Sequence, residues 1–182
     1  MGMATPLYYS ADLVRRLPED GNRYEVVDGE LLVTPSPRPW HQIVAGRLFL
    51  ALSDYLDRYP LGQVIASPAD ISWGPLDLVQ PDLFVVPLEE DRTLDWAAMR
   101  NLLLVVEVLS PATARADRFT KRRLYQRAGV ALYWIVDADR QAVELWTPER
   151  ELPAQAAELL FWQPDPSAPP FQLPLSALFR PL

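Results

Sequence analysis

The chain has 182 residues, enough for one domain with one sizeable hydrophobic core. Its formal net charge of −7 argues against a protein that coats nucleic acid through bulk positive charge. It does not argue against an enzyme that gathers carboxylates around a cation. Cysteine is absent, which removes disulfides, thiolate catalysis and cysteine-ligated zinc.

No apolar run approaches the ~20 residues that a membrane span needs. The first residues, MGMATPLYYSADLVRRLPED, lack the basic start and apolar stretch of a signal peptide. An intracellular, cytoplasmic location is therefore expected. The 19 prolines, the missing cysteines and a basic complement of arginines with one lysine, Lys121, are compatible with a thermophilic source.

In chain order, Ser10 can cap a short helix over residues 11–17. Tyr24–Val27 and Glu30–Val33 flank Asp28-Gly29, the dipeptide of a type I′ turn, and predict a β-hairpin. TPSPRP is a proline-punctuated loop. From Trp40 to Tyr59, residues Ile43, Val44, Leu48, Leu52, Tyr55 and Leu56 recur at helical spacing. Short strands are expected at Gln63–Ala66 and Ala69–Trp73. After the PLDLVQP turn another follows at Asp82–Val86. Glu89–Arg100 reads as a polar loop with a short helix. LLLVVEVL, Leu102–Leu109, fits a strand buried on both faces. A helix over Ala116–Ala128 ends at Gly129, and Ala131–Asp137 is a second buried strand. The strand–helix–strand order suggests a β-α-β crossover. A turn at Ala138-Asp139-Arg140 leads into Gln141–Trp146. The order of elements predicts an α/β domain with a mixed, mostly antiparallel sheet flanked by helices. It spans 1–182, with a core at about 8–146 and a proline-rich extension at 147–182 that holds an edge strand near Glu158–Trp162 and a short terminal helix.

Several charges break this pattern. Glu107 interrupts a strand of Leu and Val, and a buried carboxylate is costly unless it is paired or bound to a cation. Asp82 opens another apolar strand directly after Pro81. Two carboxylates on neighbouring strand ends repel, and a divalent cation relieves that repulsion. Oxygen ligands favour Mg²⁺ or Mn²⁺. On the helix that follows, steps of roughly 100° per residue place Asp117, Lys121, Leu124, Tyr125 and Ala128 on one inward face. The lone lysine then points inward, towards Glu107, while the arginines mostly point outward. A plain Lys121–Asp117 or Lys121–Glu107 ion pair is the alternative.

These parts suit phosphodiester hydrolysis. A metal polarises the phosphate and acidifies a bound water, and a lysine can orient that water or neutralise charge at phosphorus. Arg115, Arg118, Arg122, Arg123 and Arg127 can contact backbone phosphates or simply form a solvated helix face. Glu25 is either a further acidic ligand or an exposed strand residue, the second being preferred. His41, the single histidine, either works near the site or caps the long helix. Asp137 suits a turn role with Asp139 better than catalysis, and Asp70 and Asp77 are either neighbours of the site or ordinary loop aspartates. No glycine-rich phosphate loop, nucleophile elbow or zinc ligand set is present.

The ordered set Pro81-Asp82, EVLSP (Glu107–Pro111), Asp117-x-x-x-Lys121, Tyr125, AGV (Ala128–Val130) and YWIVD (Tyr133–Asp137), with YEVVDGEL (Tyr24–Leu31) before it, resembles the Uma-type restriction endonuclease family. The resemblance covers roughly residues 8–146. It implies the PD-(D/E)XK nuclease superfamily: a restriction-endonuclease-like mixed sheet flanked by helices. It further implies a Mg²⁺-type site held by Asp82, Glu107 and the Val108 backbone carbonyl. The lysine expected two residues after the acid is Leu109 here, and Lys121 is the natural replacement. A metal-dependent endonuclease acting on DNA is the leading expectation, with a homodimer as its expected assembly. The alternative is a catalytically weak or inactive binding module that keeps the fold.

Overall fold

The computed structural model describes residues 8–182. Ser10 caps helix α1 (Ala11–Val14), its Oγ accepting from the Leu13 N–H. Strands β1 (Arg23–Val27) and β2 (Glu30–Thr34) form the expected hairpin. Asp28 and Gly29 both take positive φ, 51° and 81°, as a I′ turn demands. Helix α2 (Pro39–Arg58) starts on Pro39, whose missing N–H costs nothing in a first turn.

Next come β3 (Gln63–Ala66), β4 (Ile71–Gly74), β5 (Asp77–Val79) and β6 (Leu83–Val86). The segment PLDLVQP is therefore more than a turn. Asp77–Val79 is a strand of three residues, too short for a periodic signal, and it pairs with both β4 and β1. Helix α3 (Leu88–Asp91) and a single 3₁₀ turn at Trp96–Ala98 fill the polar stretch before β7 (Leu104–Val108).

The helix after β7 is not regular. Ala116–Lys121 is π-helical and runs into α4 (Arg122–Arg127). Gly129, at φ +75°, ends it in the left-handed conformation. Then follow β8 (Tyr133–Asp137), β9 (Ala142–Trp146), β10 (Ala154–Gln155), β11 (Leu159–Trp162), β12 (Phe171–Pro174) and α5 (Leu175–Leu178).

The central sheet runs β10-β9-β8-β7-β6-β3, and its β7–β8 pair is parallel, joined through the π turn and α4. A four-stranded antiparallel sheet, β2-β1-β5-β4, lies against one face of it. Alternation along β6, β7 and β8 divides the core in two. Leu83, Val85, Leu104, Val106, Val108, Trp134 and Val136 pack with α2, β11, β12 and α5. Phe84, Val86, Val105, Ile135 and Tyr133 pack with Leu124 and Tyr125 of α4 and with Val27, Ile71 and Val79 of the smaller sheet. The proline-rich C-terminal stretch contributes Leu160, Trp162, Phe171, Leu178 and Phe179 to the first of these clusters. No described helix is long and apolar enough to cross a membrane.

Candidate active site

Pro81 cannot donate to a sheet ladder, so β6 begins only after Asp82. The register that pairs Leu83 with Val106 places Asp82 opposite Glu107 when extended by one residue. Opposed residues of antiparallel strands share a face. Here that is the face covered by α4, as the neighbouring Phe84 and Val105 show. The two acids singled out in the sequence thus stand side by side at one end of adjacent strands.

Asp82 is held from three sides. Arg23 Nη1 donates to its Oδ1 at 3.0 Å, and the Val108 N–H donates to its Oδ2 at 2.9 Å. His41 Nε2 also lies 3.0 Å from Oδ2. Burial works to raise the pKa of this carboxyl. The His41 hydrogen bond, the Arg23 charge and the Val108 N–H outweigh it and hold the group at about 2.

Glu107 is deeper. Lys121 Nζ donates to its Oε1 at 2.9 Å and the Tyr125 hydroxyl donates to the same oxygen at 3.0 Å. Lys121 Nζ also lies 2.8 Å from Glu25 Oε1 and 3.7 Å from Asp117 Oδ1. One ammonium therefore serves three carboxylates, and all four residues are 1% exposed. Burial pushes Glu107 up to about 8 against the pull of Lys121, and the charges of Asp117, Asp82 and Glu25 add to the rise. Burial likewise pushes Asp117 up to about 6. The same three acids, outweighing desolvation, raise the Lys121 ammonium above its ordinary range. The local imbalance is plain: with Arg23 included, four carboxylates face two cations.

Asp82 is where this buried cluster meets solvent. It lines a cleft of about 840 Å³, together with Arg23, Tyr24, His41, Gln80, Ser110 and Thr113. Glu107, Lys121 and Asp117 lie behind it, away from the cleft wall.

A hard divalent cation fits the chemistry of this donor set. The carboxylates are in excess over their cations, and the buried Asp117 Oδ1 has no hydrogen-bond partner. Soft metals do not fit, because nitrogen and sulfur ligands are limited to His41. Among the described residues no three His, Asp or Glu side chains are arranged to enclose a metal by themselves. Backbone and substrate oxygens would have to complete the coordination.

The structure brings together Asp82, Glu107, Lys121, Glu25, His41 and Asp117. Two sequence expectations change. Glu25 is not an exposed strand residue: its face of β1 also carries Val27, which packs with Leu124 and Tyr125, so Glu25 is turned into the core. Its Oε1 also accepts from the Gln80 N–H at 2.7 Å. His41 starts α2 without capping it and reaches Asp82 instead. Lys121 pairs with both Glu107 and Asp117, the ion pairs that the sequence offered as the alternative. Leu109, at the usual lysine position, packs among Leu124 and Tyr125.

The helix arginines are less free than their sequence suggested. Arg118 bonds Glu144 and Asp137, Arg122 stacks 4.5 Å over Trp146, and Arg127 pairs with Asp28. Arg115 is exposed. Asp137 also accepts from the Arg140 N–H, the turn role expected of it, and Asp77 accepts from the Asp28 N–H. Asp70 lines the cleft and bonds Gln80. Arg23 was missed by sequence reasoning. Its only signal was that it shares a strand face with Glu25, and a single arginine at a strand start carries no distinguishing pattern.

A solved structure described as a putative nuclease belonging to DUF820, from Anabaena variabilis ATCC 29413, shares this fold with a TM-score of 0.74. It is 20% identical, and the match covers 94% of this chain and 97% of that one. No curated protein matches the chain. The family model described as Uma2, "Putative restriction endonuclease", matches residues 11–176, nearly the whole length. The carboxylate pair, the inward lysine and the extent of that match agree: the chain belongs to the Uma2 family.

Proposed function

We propose that this protein is a divalent-cation-dependent nuclease that hydrolyses phosphodiester bonds, with DNA as substrate. The observation that carries the reading is the pairing of Asp82 and Glu107 across β6 and β7, with Lys121 behind them and Asp82 open to the cleft. The family description and the nuclease title of the structural relative point the same way.

Asp82 and Glu107 would hold Mg²⁺ or Mn²⁺, with the Val108 carbonyl as the ligand that the family resemblance implies. The bound ion would supply Lewis acidity to a phosphate oxygen and a more acidic water. The protein's own residues prepare the site. Arg23 and the Val108 N–H fix the Asp82 carboxylate in its charged form, ready to ligate. Lys121 offsets charge among Glu25, Glu107 and Asp117, and its ammonium can neutralise the phosphorane or orient the attacking water. Tyr125 fixes Glu107 by its hydroxyl. The cleft that Asp82 lines would admit the phosphodiester to the site. A homodimer would place two such sites for cutting two strands.

Calorimetric titration with Mn²⁺, followed by oligonucleotide cleavage, tests this. Wild type is expected to bind and cut, and Asp82→Asn/Glu107→Gln to do neither while melting cooperatively. Metal-independent cutting, or cutting retained in the double variant, would refute it. One observation favours a second reading, a binding module without turnover. Leu109 replaces the usual lysine, and Lys121 is fully engaged by three acids. Folded wild type that binds DNA but never cleaves it, with any of several divalent ions, would select that reading.

A further inference from the structure

The helix that carries Lys121 presents its opposite side to solvent. Phe119 sits there between the inward Asp117 and Lys121, and it is 54% exposed, an unusual position for a phenylalanine. Arg115 lies four residues before it and Arg123 four residues after, and both are exposed. Residues about four apart on a helix lie near one another on its surface. Among the described residues neither arginine has an acidic partner within 4.0 Å, whereas Arg118, Arg122 and Arg127 on the same helix are occupied inside the protein. Two guanidinium groups without acidic partners thus flank an exposed aromatic ring in a chain of net charge −7.

Ser110 and Thr113 line the cleft wall, and Arg115 follows Thr113 by two residues. A strand held on Arg115 could continue towards the cleft that Thr113 lines.

We infer that this strip docks one strand of nucleic acid, with Arg115 and Arg123 on phosphates and Phe119 stacked on an unpaired base. Charge complementarity selects a polyanion, and the single exposed ring selects a base face over a protein side chain. The inference rests on the nuclease reading for the strand's destination, but its contacts are tested by binding alone. It assigns the protein a substrate with an unpaired segment, such as single-stranded DNA or a duplex with an overhang.

The test is fluorescence anisotropy of a labelled single-stranded 20-mer against wild type, Phe119→Ala, Phe119→Trp and Arg115→Gln/Arg123→Gln, with Ca²⁺ present. Phe119→Ala is expected to weaken binding roughly tenfold, and Phe119→Trp to retain it. The double arginine variant is expected to lower the slope of log K against log salt by about 1.4, or ~0.7 for each lost phosphate contact. Phe119 is largely exposed, so these variants are expected to melt like wild type. Equal binding by all four proteins, no binding by wild type, or capture by anionic vesicles without nucleic-acid binding would overturn the inference. If wild type cuts DNA and all variants bind alike, only the strip is lost. If wild type binds through the strip but never cuts, the strip stands and the nuclease reading falls.

Discussion

Lys121→Met removes one positive charge from a site where three carboxylates depend on it. The ammonium lies 2.8 Å from Glu25 and 2.9 Å from Glu107, with Asp117 at 3.7 Å. Methionine fills a similar volume, so cavity formation contributes little. Breaking a buried ion pair by deleting one partner costs about 3–5 kcal/mol. That is a large share of the roughly 5–15 kcal/mol that stabilises an ordinary domain. The cost depends on pH. Glu107 and Asp117 already sit up at about 8 and about 6, and without Lys121 they rise further. A carboxyl whose pKa is higher in the folded than in the unfolded chain binds more protons when folded. Stability then falls as pH rises above the unfolded value of about 4. The deficit of the variant is therefore expected to be smallest near pH 5, to grow as pH passes about 6 and about 8, and to be complete only above the variant's own raised values. Urea unfolding of both proteins at pH 5 and pH 8.5 reads this directly. The double variant Lys121→Met/Glu107→Gln should regain part of the loss at pH 8.5. A deficit no larger at pH 8.5 than at pH 5 would refute the ion-pair reasoning.

Lys121→Arg keeps the charge but sets a planar fork into a cage sized for an ammonium, and most DNA cleavage should be lost; full activity in a cleavage assay would remove Lys121 from the mechanism. Tyr125→Phe deletes the hydroxyl that reaches Glu107 and should cost about 1 kcal/mol of stability by chemical denaturation. Arg23→Gln should move the Asp82 carboxyl up from about 2, as a carbon-detected NMR titration would show. Asp82 has a depressed pKa in the fold, so its stabilising contribution is present above its unfolded value and fades as pH falls towards 2; in Arg23→Gln acid unfolding should therefore begin at higher pH.

How far the sequence reached can be judged residue by residue. Glu107 was legible because a carboxylate inside LVVEV violates the pattern of a buried strand, and Asp82 because it abuts Pro81 and an apolar run. Lys121 was legible through its helical phase with Leu124 and Tyr125, and the π turn before it left that inward face intact. The Asp28-Gly29 hairpin and the long α2 followed from local rules of turn geometry and amphipathic spacing. β5 was not legible, because three residues carry no period and its pairing with β1 and β4 is made at a distance.

Local pattern thus determined the buried apolar faces of the central strands and helices and the misplaced charges at Asp82, Glu107 and Lys121. It could not determine who meets whom. Glu25 looked like an exposed strand residue because only the packing of the smaller sheet against α4 turns its face inward. Arg23 and His41 reach Asp82 across 59 and 41 residues of chain, and nothing in their own neighbourhoods announces it. The charge balance of the site is a property of that assembly. Burial and Coulomb interactions act through space over a few ångströms, so one ammonium among three carboxylates, and a Glu107 raised chiefly by burial against the pull of Lys121, exist only once the sheet and helix have closed around them.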